Sequence, residues 1–178
     1  MERDVKDILI SEQEIKQICK RLGEEITRDY KGKNLLVVSV LKGAVIFMAD
    51  LLREIKCDCI IDFIAVSSYS GTKTTGVVKF KKDLDIDPDG MDILIVEDIL
   101  DSGVTLSYLS KVLMGRNANS IKICTLLDKP ANRKADIKAD YVGTVVPDEF
   151  IIGYGLDYNE KYRNLPYIGI LDSSVYEN

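Results

Sequence analysis

Short, almost wholly apolar runs recur along this chain, each about the length of one buried strand. They occupy residues 35–40, 59–66, 93–96 and 121–127. A continuous apolar run of this length indicates a strand buried on both faces, as in parallel sheets. Strands that alternate with helices predict an α/β fold, a twisted and mostly parallel sheet with helices on both faces. We expect further strands at residues 77–82, 141–146, 150–153 and 167–171.

The predicted helices and loops have recognisable boundaries. Ser11 and Glu14 form a capping box before apolar residues at helical spacing, and Gly32 stands where that helix should end. A second helix is predicted over residues 44–55. Residues 67–76 have no apolar periodicity and predict a mobile loop, and residues 87–90 predict a turn.

Length and charge limit the class of protein. A chain of 178 residues is predicted to form one domain, spanning residues 1–178. No apolar run approaches the roughly 18 residues of a membrane span, and the charged first residues do not resemble a signal segment. A net charge of −5 argues against a broad nucleic-acid surface. We therefore expect a cytoplasmic protein without nucleic-acid or membrane partners.

The residue types present restrict the chemistry. The chain has no histidine, which excludes a histidine-based triad and a histidine-ligated metal. Proton transfer must use Asp, Glu, Lys, Tyr or the substrate, and a divalent metal must be a hard ion held by oxygen, with Mg²⁺ expected. The four cysteines lack zinc-site spacing. They are predicted to be buried or partly buried thiols, which fits the cytoplasm.

Polar residues after the run at 93–96 indicate a binding site. Glu97 and Asp98 follow that run, and residues 101–105 then open a predicted helix. N–H groups and hydroxyls at a helix N-terminus form a phosphate site. The two acids suit a ribose diol or a metal-bound polyphosphate better than bare phosphate. The spacing also permits a simple helix cap at Asp101 or Ser102 beside solvated acids. The fingerprints of P-loop and dinucleotide-binding folds do not occur.

Residues 95–106 closely resemble the phosphoribosyl-pyrophosphate motif of type I phosphoribosyltransferases. Nearly the whole chain resembles the branch of that family that uses hypoxanthine and guanine. This resemblance implies the family fold with a small hood subdomain, and assembly as a homodimer or homotetramer. Its further landmarks are Leu41-Lys42-Gly43, Ser68-Tyr69, Leu127-Asp128-Lys129 and residues 147–159.

The resemblance also implies roles for residues that contact the donor, phosphoribosyl pyrophosphate. Glu97 and Asp98 would hold the ribose hydroxyls, directly or through a metal. The 5′-phosphate would be cradled by Asp101, Ser102, Gly103, Val104 and Thr105. Pyrophosphate would bind Lys42, Gly43 and Arg163, and the peptide before Lys42 can be cis in this family. Mg²⁺ would be held by Glu97, Asp98 and Asp157. Without the resemblance, Lys42 and Arg163 would be ordinary surface cations, and Asp157 a loop aspartate.

A second group of residues would contact the purine. Asp101 would face N7 as proton acceptor or hydrogen-bond partner, and Lys129 would donate to O6. Phe150 would stack on the ring, and main-chain groups of Ile151 would bind its edge. Without the resemblance, Lys129 would be predicted as a surface lysine and Phe150 as a core residue. The loop that begins at Ser68 and Tyr69 would close over the reaction centre.

The implied activity is transfer of the 5-phosphoribosyl group to hypoxanthine and guanine, with Mg²⁺ as cofactor, in purine salvage. One alternative is transfer to another base, xanthine or a pyrimidine, although a pyrimidine would give no reason for residues 147–159. The other is a phosphoribosyl-pyrophosphate-sensing regulator that binds RNA on the same fold. The net charge of −5 and the set Lys129, Phe150 and Asp157 argue against the regulator.

Overall fold

A computed structural model describes residues 2–68 and 78–176, and these contain two β-sheets. The larger sheet has six strands in the order β4-β3-β2-β5-β6-β7. Its strands are parallel except β4, which pairs antiparallel with β3 at one edge. The predicted mostly parallel sheet is therefore confirmed. The strands are β2 Leu35–Leu41, β3 Cys59–Ser68, β4 Val78–Lys82, β5 Asp92–Leu100, β6 Ser120–Asp128 and β7 Tyr141–Val145.

Helices cover both faces of this sheet, as predicted. Helices α1 (Glu12–Tyr30) and α2 (Val45–Glu54) share one apolar cluster with Leu94 and Val96 of β5. Helix α3 (Val104–Met114) shares a second cluster with Ile93 and Ile95 of the same strand. Successive side chains of a strand point to opposite faces, so an uninterrupted apolar run is what two covered faces require. No helix among residues 2–68 and 78–176 is long and apolar enough to cross a bilayer.

The order of the strands locates a crevice at the centre of the large sheet. From β2 the chain adds β3 and β4 on one side, and then returns to place β5 on the other side of β2. Open α/β sheets bind ligands beyond the carboxyl ends of the strands, at the point where the strand order reverses. Here that point lies between the end of β2, followed by Lys42, and the end of β5, followed by Asp101.

The smaller sheet corrects part of the sequence prediction. Its strands are β1 (Val5–Ile10), β9 (Ile168–Leu171) and β8 (Ile151–Ile152), antiparallel in the order β1-β9-β8. The runs at 150–153 and 167–171 were predicted as strands without a place in either sheet, and they form this separate hood, which the family resemblance implied. Strand β1 was not predicted, because most of its side chains are exposed and its apolar residues do not alternate.

Several local predictions are confirmed. Ser11 Oγ accepts the Glu14 N–H at 3.3 Å and Glu14 Oε2 accepts the Ser11 N–H at 2.8 Å, which completes the capping box. Gly32 follows α1 with φ +76°, and the Met91 N–H donates to Pro88 O at 3.1 Å in the turn. All four cysteines are free. The loop predicted over residues 67–76 begins later than expected, because Ser67 and Ser68 belong to β3. Residues 69–77 lie outside the described residues.

Candidate active site

Strand β5 is longer than its apolar run, which changes the geometry of the acidic pair. It continues to Leu100 and pairs with β6 as far as Asp128, whereas the sequence predicted its end near Val96. Glu97 and Asp98 are therefore strand residues, and the pleat turns adjacent side chains apart. Glu97 lines a cavity of about 180 Å³ at the start of α3, while Asp98 lies against Gly43.

The turn after β5 lines that cavity and begins α3. Its carbonyl groups at Leu100, Asp101 and Ser102 accept hydrogen bonds from residues 129–135. Ser102 O, for example, accepts two main-chain N–H groups, at 2.9 and 3.1 Å. Gly103 has φ +75° and is the N-cap of α3. As a glycine it has no side chain that could cap the helix. Ser102, Gly103 and Thr105 all line the cavity. This arrangement at a helix N-terminus is suited to an anion.

Arg133 braces this turn, and the sequence analysis did not identify it. Its Nε donates to Asp101 O at 2.8 Å and its Nη2 to Leu100 O at 3.0 Å, and Nη2 also pairs with the Asp128 carboxylate. The Cδ atom of Arg133 would lie 3.1 Å from a Cβ built on Gly103. The one local signal in the sequence was position, since Arg133 directly follows the short turn Pro130–Asn132 after Lys129. Its partners in the turn, Leu100 and Asp101, lie 33 and 32 residues away, which no periodicity reveals.

Removing the Arg133 guanidinium should destabilise the fold. Its side chain is 17% exposed and that of Asp128 is 21% exposed, so truncation would leave a largely buried carboxylate without its partner. We expect Arg133→Ala to lower the free energy of unfolding by about 2–4 kcal/mol in urea denaturation.

The matched control is Arg116, which pairs with Asp83 at 2.7 Å but is 33% exposed beside a 44% exposed partner. Arg116→Ala should cost less than about 1 kcal/mol, as for a surface pair. Equal losses in the two variants would show that Arg133 is an ordinary surface cation.

Three segments meet tightly at the end of β2. The peptide bond between Leu41 and Lys42 is cis, as the family resemblance implied. A Cβ at Gly43 would lie 1.7 Å from Asp98 Oδ2, and one at Gly155 would lie 2.0 Å from Gly43 O. The contact at Gly155 is with main chain and excludes a side chain there, whereas a side chain at Gly43 would displace the Asp98 carboxylate, so Gly43 lies closely between Asp98 of β5 and Gly155.

The two cations expected to hold pyrophosphate lie close to each other. Lys42 Nζ is 3.0 Å from Glu160 Oε2, and Arg163 Nη2 is 3.3 Å from the same oxygen. Arg163 also pairs with Asp157 at 2.8 Å and donates to Gly155 O at 2.7 Å. Glu160 was not identified from the sequence. Residues 42, 157 and 163 therefore form one charged corner, with Glu160 between its cations.

Burial shifts the pKa of both strand acids upward. The pKa of Glu97 is raised well above its usual range by burial and by the neighbouring charge of Asp98. Burial raises the pKa of Asp98 to about 6, although the Ile99 N–H and the charge of Arg163 oppose this. Glu97 Oε2 has no hydrogen-bond partner among the described residues. Enclosed carboxylates without partners are suited to a cation or a hydroxyl donor from a ligand.

The expected metal ligands do not converge on one point. Glu97 faces the phosphate cavity, whereas Asp98 is near enough to Asp157 for that charge to raise its pKa. Asp157 is already occupied by the Glu160 N–H at 2.9 Å and by Arg163. Within residues 2–68 and 78–176, no three side chains of the Asp, Glu, Cys or His types are grouped to hold a metal. Glu97, Asp98 and Asp157 therefore stay predicted Mg²⁺ ligands on the ribose and pyrophosphate sides of the donor, because the pleat turns the two strand acids to different sides of β5.

A second cavity, of about 370 Å³, adjoins the phosphate cavity. Asp101 and Ile99 line both, and Asp101 Oδ1 is enclosed without a hydrogen-bond partner in the described structure. Lys129, 11% exposed, extends along this cavity, where Nζ donates to Glu149 O at 3.0 Å and pairs with Asp148 at 2.9 Å. An ammonium has three N–H donors, so these contacts leave one for a ligand.

Phe150 and Ile151 also line this cavity, and their contacts with a purine stay predictions. Phe150 is 39% exposed, so it is not a core residue. The Leu171 N–H donates to Phe150 O at 2.8 Å, and Ile151 is opposite Ile170. This register makes Ile151 a non-hydrogen-bonded position, so its N–H and C=O point away from β9. The cavity is also lined by Leu156 and Tyr176, which the sequence analysis did not single out.

The comparisons with known proteins agree on one family. The model of the phosphoribosyl transferase domain matches residues 6–159. The chain is 52% identical over 179 residues to a hypoxanthine-guanine phosphoribosyltransferase of Staphylococcus aureus, with all of both chains covered. It is 54% identical over 177 residues to the protein of the same name from Staphylococcus epidermidis, with 99% of each covered.

Solved structures give the same result. A crystal structure of a hypoxanthine phosphoribosyltransferase from Staphylococcus aureus superposes with a TM-score of 0.97 at 52% identity, covering 100% of this chain and 97% of that one. A hypoxanthine-guanine phosphoribosyltransferase from Bacillus anthracis, crystallised with HEPES in its active site, gives 0.90 at 50% identity. That match covers 94% of this chain and 99% of the other.

Proposed function

This chain belongs to the phosphoribosyl transferase family, and we propose that it transfers the 5-phosphoribosyl group from phosphoribosyl pyrophosphate to hypoxanthine and guanine. One observation carries the proposal. An anion cavity at a helix N-terminus adjoins a cavity with an ammonium and an aromatic ring, and Asp101 lines both. Such a pair of cavities holds a sugar phosphate and a planar base side by side.

The reaction joins N9 of the base to C1′ of the ribose while the bond from C1′ to the pyrophosphate oxygen breaks. The electron pair of that bond leaves with pyrophosphate, and Asp101 accepts the proton or hydrogen bond at N7 of the base. Lys42 and Arg163 bind the departing charge, and the N–H groups of residues 102–105 hold the 5′-phosphate. Catalysis in this proposal comes from positioning and electrostatic stabilisation of a cationic ribose.

Mg²⁺ fits the carboxylates of this site. It is a hard ion that binds proteins through one or two carboxylates and fills its remaining positions with waters and phosphate oxygens. Asp98 and Asp157 on the pyrophosphate side, and the unpartnered Glu97 Oε2 on the ribose side, supply such oxygens. When bound, the ion would neutralise charge on the phosphates of the donor and polarise its hydroxyls.

Removing divalent metal should abolish turnover. Because only oxygen ligands are available, we expect activity with Mg²⁺ or Mn²⁺ and its loss in excess EDTA. Calorimetric titration of Mg²⁺ into the protein, with and without pyrophosphate, should show binding that strengthens greatly when pyrophosphate is present. Full turnover in EDTA, or equal Mg²⁺ affinity in both titrations, would contradict this assignment.

The overall proposal is tested by pyrophosphate release. The protein, phosphoribosyl pyrophosphate and Mg²⁺ are incubated with hypoxanthine, guanine, xanthine, adenine or a pyrimidine in turn. Release with hypoxanthine and guanine is expected. Pyrophosphate release only with a pyrimidine would overturn the proposed substrate class. The absence of release with every base would overturn it as well.

We also infer a homodimer or homotetramer in the cytoplasm. Strand β4 pairs only with residues 65–68 of β3, so Ile60 and Ile61 stand exposed on the remainder of that strand, as Val45 does on α2. A second copy of the chain would cover these apolar side chains, and sedimentation velocity would give the assembled mass. Four free thiols fit the reducing conditions of the cytoplasm.

A further inference from the structure

Tyr176 makes an aromatic contact beside the proposed base cavity. After β9, a 3₁₀ turn at Ser173–Val175 carries Tyr176 back toward β8. The ring of Tyr176 stacks on that of Phe150, with 5.2 Å between centroids and 27° between planes. Stacked aromatic pairs of this kind contribute about 0.5–1.5 kcal/mol beyond the area that they bury. Tyr176 therefore contacts the residue expected to bind the purine face.

Hydrogen bonds define the path of this tail. The Asp172 N–H donates to Asp4 O at 2.9 Å, which joins the tail to the beginning of the chain. Asp172 Oδ1 accepts the Ser174 N–H at 2.9 Å and the Ser174 hydroxyl at 2.6 Å. The Tyr176 N–H then donates to Ser173 O at 3.1 Å. Because these bonds hold the turn, the position of the Tyr176 ring does not depend on stacking alone.

Phe150 is held by aromatic rings on two sides and yet remains open to the cavity. Tyr158 contacts it at 5.3 Å with an interplanar angle of 89°, in addition to the stack with Tyr176. The ring is nevertheless 39% exposed. Two neighbours therefore restrict its orientation, and the remaining surface is available to a planar ligand in the cavity that Phe150 and Tyr176 both line.

We infer that Tyr176 is a positioning residue for the purine, acting by holding Phe150 in the orientation that stacks on the base. This inference rests on the proposed function. A phenylalanine without that support would lose rotamer freedom when the base binds, and this loss would weaken binding. A ring already fixed by Tyr176 has lost that freedom in the free protein. The donor does not contact Phe150 in the proposed arrangement, so only the base should be affected.

The test compares Tyr176→Ala, Tyr176→Leu and Tyr176→Phe in the full chain. The Ala and Leu variants should raise KM for hypoxanthine by about three- to tenfold. Their kcat, and their KM for phosphoribosyl pyrophosphate, should change by less than about twofold. Tyr176→Phe keeps the ring and should retain the KM of the unaltered chain. Tyr176→Leu keeps apolar volume but has no ring to stack on Phe150.

Tyr108→Ala is the matched control, because it removes an aromatic neighbour of Phe80 at 6.3 Å, next to the other face of the large sheet. Its KM for hypoxanthine should not change. A lower KM in Tyr176→Ala would show that the tyrosine competes with the base, and an unchanged KM in an active variant would overturn this inference alone. An unaltered chain that transfers to no purine would overturn the proposed function and this inference together.

Discussion

Asp101→Asn should lower kcat by roughly 10²–10⁴-fold, the usual contribution of a group that transfers or holds a proton in the transition state. Asparagine keeps the shape of the side chain but cannot accept a proton. Asp101 lines both cavities, and its Oδ1 has no hydrogen-bond partner among the described residues. Its main-chain carbonyl is separately held by Arg133 at 2.8 Å. The substitution should therefore leave the turn intact.

Steady-state kinetics with both substrates would separate the two possible roles of Asp101. A catalytic group predicts a large fall in kcat and little change in KM for phosphoribosyl pyrophosphate. A purely structural role predicts the opposite result, a lower thermal midpoint with kcat retained. Melting curves of the same preparations supply that control. Unchanged kcat beside reduced stability would assign Asp101 a structural role alone.

Selectivity at position 6 of the purine should be the second large effect. We expect kcat/KM for hypoxanthine or guanine to exceed that for adenine by at least roughly 10³-fold. Lys129 presents N–H donors only, so in the proposed site it would bind the O6 of a 6-oxopurine through a charge-assisted hydrogen bond. Adenine carries an amino group there, and donor would face donor. With Lys129 only 11% exposed, water cannot easily replace the lost bond.

Two variants would show whether Lys129 is the cause. Lys129→Ala should reduce the rate with hypoxanthine and narrow its ratio to adenine. Lys129→Gln should narrow the ratio further, because its amide oxygen can accept the adenine amino group. Competition assays with both bases in one mixture measure the ratio directly. An unaltered enzyme that used adenine within about tenfold of hypoxanthine would show that selectivity has another source.

Local pattern was a sound guide wherever short-range physics decides the structure. The capping box of Ser11 and Glu14 depends on residues three positions apart, and the buried strands were visible in their own continuous apolar runs. The extension of β5 to Leu100 escaped prediction, because Glu97 and Asp98 interrupt the apolar run and pairing with β6 supplies the missing order. That extension is also what separates the two acids and leaves no three-acid metal site in the described structure.

Pairing between distant segments could not be read from the sequence. The strands β8 and β9 have apolar residues like those of the main sheet, and nothing local shows that they pair with β1 instead. Arg133 and Tyr176 were missed for the same reason. Arg133 donates across about thirty residues to the turn after β5, and Tyr176 reaches Phe150 only because the hood brings the end of the chain back.

Glu160 occupies the two cations of the proposed pyrophosphate site, so pyrophosphate would bind by displacing this carboxylate. Its carboxylate already lies 3.0 Å from Lys42 Nζ and 3.3 Å from Arg163 Nη2. An arriving pyrophosphate would thus replace an anion that belongs to the protein, besides any counterions from solution. Added salt weakens the attraction of the two cations for Glu160 as well as for pyrophosphate. The affinity for pyrophosphate should therefore fall less steeply with ionic strength than it would if Lys42 and Arg163 were unpaired. The empty enzyme keeps these cations together, ready for the donor, without carrying an uncompensated charge.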